Sequence, residues 1–511
     1  MMKKPPLDRS RNSPASRSPL ARLKQNVTRW TFGRRDRWLP ALAVPFAVIL
    51  AAPMAAAQPR QDAGATANSP KNVIVMIADG MGYNHIDAAS MYAFGKSRYQ
   101  IEGSPGDVRR IPGPRNPNWV YERFPHQLAM STHTAVGGYD STAMWSDFDL
   151  RIGIEGDSTT VTGSAASGTA LATGVKTIDP RVGLDVNGEP VKNLAERAKE
   201  LGKATGVISN VAFNHATPAA FLAHNLDRNN RHAVAREMIL DSGANVIMGA
   251  GHPYYNDDGQ YGSPRYLWLP SDVWTAVQDG ATPYTFVDER DDFVALAKGE
   301  TPKHVLGIAK GFNATQFNRT PNPLDRSYRL GPPGLVDPNE KPFETPLNDN
   351  VPTLAEMTAA GLNVLSNASD EGFFVMIEGG ALDWAGHWNL TGRNIEEMLF
   401  FNEAVKAAVD WIERESSWDE TLLIVTGDHE TGYLVGPKSG PDWKPLINNG
   451  PGEMPGHEWK HDYHTNSLVP LFAKGPAAER FRHAAQGRDA VWGPYVDNTD
   501  VANVVFDQWG R

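Results

Sequence analysis

Val73-Ile74-Val75-Met76-Ile77-Ala78-Asp79 is an unbroken apolar run that ends on an acid. The pattern recurs twice: Phe373-Phe374-Val375-Met376-Ile377 runs into Glu378, and Leu422-Leu423-Ile424-Val425-Thr426 leads through Gly427 to Asp428 and His429. Apolar runs without polar alternation suit strands buried on both faces, as in a mostly parallel sheet covered by helices. In an open α/β sheet, ligands gather outside the carboxyl ends of the strands, so residues distant in sequence converge there. One acid after a strand is an ordinary turn former or helix cap. Three such ends, all carrying metal-binding residue types, point to a metal site. The second run continues to Asp383 and His387, which at i and i+4 share one helix face and can hold one cation.

Further apolar runs at 205–209, 245–248 and 468–473 extend the set of strands, and apolar periodicity predicts helices over 191–201, 231–242, 351–367 and 393–414. The expected fold class is α/β, a three-layer α/β/α architecture around a large, mostly parallel central sheet. Stretches rich in Pro, Gly, Asn and Asp near 91–158, 251–350 and 437–460 read as surface insertions. The proline-rich 330–350 tract is expected to run extended over the surface. Residues 71–511 contain no internal repeat and read as a single elaborated domain.

The first 57 residues differ from the rest. Up to Arg37 they carry 11 Lys and Arg against two acids, then an uncharged apolar stretch from Trp38 closes on Ala55-Ala56-Ala57. These are the three parts of a cleavable export signal, followed by a flexible link over 58–70. Pro40 and Pro45 and the shortness of the apolar stretch argue against a membrane anchor. Arg34-Arg35 before the apolar run fits twin-arginine export, and the expected location is periplasmic or extracellular. Taking the leader's +9 from the whole-chain charge of −10 leaves about −19 on the body. Such a body disfavours nucleic acid and anionic membrane as partners. With no cysteine in 511 residues, thiol chemistry is excluded and any metal must be held by His and carboxylates.

Small residues dominate Val161-Thr162-Gly163-Ser164-Ala165-Ala166-Ser167-Gly168-Thr169-Ala170-Leu171-Ala172-Thr173-Gly174. Gly163 reads as a tight turn, after which a helix starts near Ser164 and packs closely on the sheet. Its free N–H groups and positive dipole end favour a bound phosphate and an ionised Ser164.

This segment, with Ile77-Ala78-Asp79-Gly80-Met81-Gly82, the 378–387 run and Thr426-Gly427-Asp428-His429-Glu430, resembles the alkaline phosphatase family. Ala216-Thr217-Pro218-Ala219-Ala220 and His464-Thr465 agree with it too. The resemblance implies an alkaline-phosphatase-like fold and hydrolysis of small-molecule phosphomonoesters through a phosphoserine on Ser164, with an alkaline optimum. It implies two zinc ions, one on Asp383, His387 and His464 and one on Asp79, Asp428 and His429. A third ion, magnesium or zinc, would sit on Asp79, Thr217 and Glu378. Arg228 would grip the phosphate oxygens, and the family is commonly a homodimer. Of the clustered His457, His461 and His464, residue type alone selects none; only the family pattern, a ligand just before a strand, favours His464. Three positions depart from the best-known bacterial members: Gly163 replaces an Asp that steadies the arginine, His215 replaces an Asp beside the third site, and Trp384 replaces a Lys that reaches phosphate through water.

Overall fold

Every residue from Asn72 to Ala78 is buried, and successive side chains enter different cores. Val73, Val75 and Ile77 join an apolar cluster with Leu171, Phe221 and Val505. Ile74, Met76 and Ala78 join another, with Met357, Phe401 and Ile412. The strand is therefore covered on both faces, which accounts for its lack of polar alternation. In this computed structural model the described residues are 69–114, 116–151, 161–320 and 337–511. The leader, all but the end of the 58–70 link, and residues 152–160 and 321–336 of two insertions lie outside them.

Among the described residues, eleven strands form one sheet. From one edge they run Gly487–Asp489, Gly493–Asp497, His126–Ser131, Val469–Lys474, Thr421–Thr426, Asn72–Ala78, Phe373–Gly379, Ala204–Ala212, Val246–Ala250, Val305–Ile308 and Thr285–Val287. All neighbours from Thr421–Thr426 to Thr285–Val287 are parallel. The 468–473 run forms the Val469–Lys474 strand, antiparallel to both neighbours, a direction that an apolar run does not encode. The three strands read first are adjacent, and Ile77 is in register with both Thr426 and Glu378. Their carboxyl ends coincide in space.

Caps set the helix starts. Pro352 precedes Thr353, whose hydroxyl accepts the Glu356 N–H while Glu356 accepts the Thr353 N–H, so the 351–367 prediction becomes Leu354–Ala368. Asn193 and Glu196 make the same reciprocal pair, which starts the 191–201 helix at Leu194. The 231–242 prediction divides into an α-helix, Arg231–Arg236, and a π-turn, Glu237–Asp241. Helix Thr391–Glu415 presents Met398, Phe401, Val405, Ala408 and Ile412 to the same apolar layer as Met357, Ala360 and Val364 of Leu354–Ala368, the stripe expected of packed amphipathic helices. The described end of the 330–350 tract keeps its expected surface course, most of 337–350 being exposed, but it is folded into turns and not extended, and buried Glu340 anchors it by meeting Arg393 at 3.1 Å. Two buried arginines, Arg319 and Arg393, need acidic partners there. No helix among the described residues is long and apolar enough to cross a membrane.

Candidate active site

Ser164 opens the Ser164–Thr173 helix, with Gly163 as the extended residue before it. Small side chains let this helix settle on the sheet ends: Ser167 donates to the Asp428 carbonyl at 2.6 Å. A Cβ on Gly168 would lie 3.2 Å from Ala220 and 3.4 Å from Thr217 Cα. Ser164 Oγ consequently faces the strand ends, 3.2 Å from Asp79 Oδ2 and 3.3 Å from His429 Nε2. Ser164, Asp79, Asp428 and His429 are all buried.

Around the serine, ligating atoms of Asp79, Asp428 and His429 lie within 4.8 Å of one another, as do those of Asp383, His429 and His464, and those of Asp79, His215 and Glu378. Asp383 and His387 occupy one face of the Ala381–His387 helix, 3.3 Å apart. His464 Nε2 is 3.1 Å from His387 Nε2 and 3.4 Å from Asp383. The outer ring nitrogens are fixed by backbone: His387 Nδ1 lies 2.7 Å from the Asp462 carbonyl and His464 Nδ1 2.9 Å from that of Thr162, leaving both Nε2 atoms turned inward, as metal-ligating histidines require. His457 instead bonds Thr391, and His461 accepts the Tyr463 N–H. Of the three histidines left open by residue type, the fold brings His464 to the cluster.

Gathering four carboxylates out of water is unfavourable without cations. Burial pushes the Glu378 carboxyl up to about 7. Burial, with the charge of Asp383, raises Asp428 to about 8, and Asp79 is raised by burial and by Asp428. Burial opposes the charge on His387, yet Asp383 outweighs it and lifts the imidazole to about 9. Asp79 Oδ1, Asp428 Oδ2, Glu378 Oε1 and Thr217 Oγ1 are buried without hydrogen-bond partners. Native proteins rarely leave such atoms unpaired, and the donor set fits cations. The mixed His and carboxylate groups suit zinc, and the oxygens of Asp79, Thr217 and Glu378 suit a harder ion.

His215 stands closer to this chemistry than a flanking role suggests, with a ring nitrogen in the Asp79–Glu378 group. Burial and the Arg228 charge hold its imidazole neutral, so it accepts a hydrogen bond from the Arg228 guanidinium at 3.0 Å. Trp384 packs edge-on against His215 and Phe317.

Sequence reading missed Asp179. Its carboxylate accepts the Gly163 N–H at 2.6 Å and the Ala166 N–H at 3.2 Å, satisfying the first turn of a helix whose N-cap has no side chain. A Cβ on Gly163 would lie 2.9 Å from Asp179 Oδ2. The glycine thus makes room for a carboxylate, and its extended backbone (φ −108°) is not the tight turn expected. The only signal was indirect: a Gly N-cap leaves helix N–H groups that some other residue must satisfy.

The model of the alkaline phosphatase family matches residues 126–453. Asp79 and His464 lie outside that span, and geometry joins them to it. Alkaline phosphatase 4 of Bacillus subtilis is 28% identical over 92% of this chain and 96% of its own. The Escherichia coli alkaline phosphatase is 27% identical, over 80% of this chain and 82% of its own. The crystal structure of a cold-active alkaline phosphatase from Shewanella sp. shares the fold with a TM-score of 0.59 and 23% identity, over 86% of this chain and 99% of that one. A family match across the strand ends that carry Glu378 and Asp428, relatives aligned along most of their length and a shared fold lead to one assignment: the chain belongs to the alkaline phosphatase family of metal-dependent phosphomonoesterases.

Proposed function

We propose that this enzyme hydrolyses phosphate monoesters through a phosphoserine on Ser164 and works best at alkaline pH. The observation that carries this reading is the buried Ser164 hydroxyl, within 3.3 Å of both Asp79 and His429 at the start of a helix. One cation would be held by Asp383, His387 and His464, another by Asp79, Asp428 and His429, and a third by Asp79, Thr217 and Glu378 with His215 beside them. When bound, such ions supply Lewis-acid stabilisation of the entering and departing oxygens.

The chain's own groups do the rest. The helix N-terminus favours negative charge on Ser164 Oγ. That oxygen attacks phosphorus in line, the ester P–O bond breaks, and the alcohol departs. Arg228, oriented by His215, donates to the non-bridging oxygens, for which its planar fork is suited. Water then attacks the phosphoserine from the vacated side, regenerating Ser164 and releasing inorganic phosphate.

Glu378 and Asp428, raised to about 7 and 8, and His387, at about 9, must shed protons before they ligate a cation. Loading and turnover therefore rise together toward alkaline pH. The basic leader with its apolar stretch and small-residue end supports export to the periplasm or beyond.

The test is hydrolysis of a phosphomonoester, a phosphodiester and a sulfate ester before and after EDTA, with zinc and magnesium added back, across pH 5 to 10. Monoester turnover should dominate, vanish with chelation and return with metal. Ser164→Ala should trap no phosphoenzyme and lose at least a thousandfold in kcat, a nucleophile-sized effect. Faster diester turnover, or a rate maximum near pH 5, would overturn the reading.

A further inference from the structure

Arg231 follows Arg228 by three residues and shares its surroundings. Its guanidinium lies 4.9 Å from the ring centre of Trp268, and the same ring meets His215 edge-on at 6.2 Å. Asn214, next to His215, donates through one amide to the backbone carbonyls of both Arg231 and Trp268, at 2.9 and 3.0 Å. Trp268 is itself buried and donates to Asn313. The second arginine is thus fixed beside the phosphate-gripping one by a built framework.

Its charge is poorly compensated. Arg231 donates to the neutral Asn229 amide at 3.1 Å. Among the described residues neither Arg228 nor Arg231 forms an ion pair, although the Asp227 carboxylate is near enough to favour the Arg231 charge. Burial and the adjacent Arg228 both work against that charge. Two neighbouring guanidinium groups that form no ion pair among the described residues, in a body of strongly negative net charge, form a site for more than one anionic group.

We propose that Arg231 is a specificity residue which, beside Arg228, binds a second phosphoryl group on the substrate, so that the enzyme favours phosphoric anhydrides and bisphosphates over simple monophosphates. The inference rests on the phosphomonoesterase reading above. For a nucleoside diphosphate the terminal phosphoryl group passes to Ser164 and then to water, the P–O anhydride bond breaks, and the nucleoside monophosphate leaves. Arg231 grips the phosphate that stays with the leaving group.

The matched pair of adenosine 5′-diphosphate and adenosine 5′-monophosphate tests it, with release of the terminal phosphate measured on the metal-loaded enzyme. Wild type should show the higher kcat/KM for the diphosphate, and Arg231→Ala should lower the diphosphate-to-monophosphate ratio of kcat/KM about tenfold, the size of one charge-assisted hydrogen bond. Arg231→Lys should restore most of the ratio, and raising salt should erode it in wild type more than in Arg231→Ala. An unchanged ratio, or an equal loss on both substrates that Lys does not relieve, overturns the proposal and leaves Arg231 as packing for Trp268. A wild type that hydrolyses neither substrate would instead overturn the phosphomonoesterase reading itself.

Discussion

Asp179 and Gly163 are one unit divided over 16 residues of sequence. The carboxylate occupies the space that a side chain at 163 would claim, so substitutions at the two positions should not add. Gly163→Asp alone should drive two carboxylates together at the helix start and lower both kcat and Tm. Asp179→Ala alone, leaving two first-turn N–H groups without their acceptor, should cost about 1 kcal/mol in stability and several-fold in kcat. The double variant should recover part of both losses. Steady-state kinetics and thermal melts of the four proteins check this; strictly additive losses would show that the two residues are independent. Ser164, Asp79 and Asp428 were legible because strand ends and small-residue helices leave a local pattern. Asp179 was not, because its role is set by a contact across the fold that no local spacing encodes. His464 lies between these cases: its residue type was visible, but its choice over His457 and His461 depended on chain path.

The helices carrying Ser164 and Thr217 meet at Gly168, whose missing Cβ allows the approach to Ala220 and Thr217 Cα. Gly168→Val should force Ser164–Thr173 and Ala216–Ala220 apart and displace Ser164 Oγ relative to Thr217 together with its neighbour His215. A shift of about 1 Å at such a site costs on the order of a hundredfold in rate, whereas overpacking costs about 1–3 kcal/mol in stability. Activity should therefore fall further than the thermal midpoint implies, and a variant that loses stability while keeping full kcat would refute the coupling. At this scale the sequence was informative where the code is local. Apolar runs marked the central strands, and apolar periodicity marked the helices at 351–367 and 393–414, which form as Leu354–Ala368 and Thr391–Glu415. It was silent on the antiparallel Val469–Lys474 strand, since direction depends on how the chain returns and not on which residues it contains. The inward anchoring of Glu340 was equally hidden, because it is held by Arg393 more than fifty residues away.

The whole molecule buries more charge than its catalytic cluster uses. Arg319 and Arg393 meet Glu396 and Glu340 in the interior, and beside them Glu397 is buried with Oε1 unpaired. Its other oxygen accepts from Asn210 at 2.7 Å, and Asn210 in turn accepts the Gly380 N–H at the start of the helix that bears Asp383 and His387. Burial, reinforced by Glu396, raises the Glu397 carboxyl from its ordinary 4.5 to about 8. In the fold it keeps its proton up to about pH 8, while in the unfolded chain it loses that proton above about 4.5. The native state thus binds the extra proton over this window, so the contribution of Glu397 is fully present below about pH 4.5 and lost as pH climbs through about 8. Glu397→Gln keeps the acceptor for Asn210 and removes the titration. Its thermal midpoint should match wild type near pH 5 and exceed it progressively toward pH 9, by an amount worth a few kcal/mol. Other titrating groups act on both proteins alike, so the difference between the two curves isolates this carboxyl. Curves that stay parallel from pH 5 to 9 would show that Glu397 is ionised in the fold and compensated by Arg319 and Arg393.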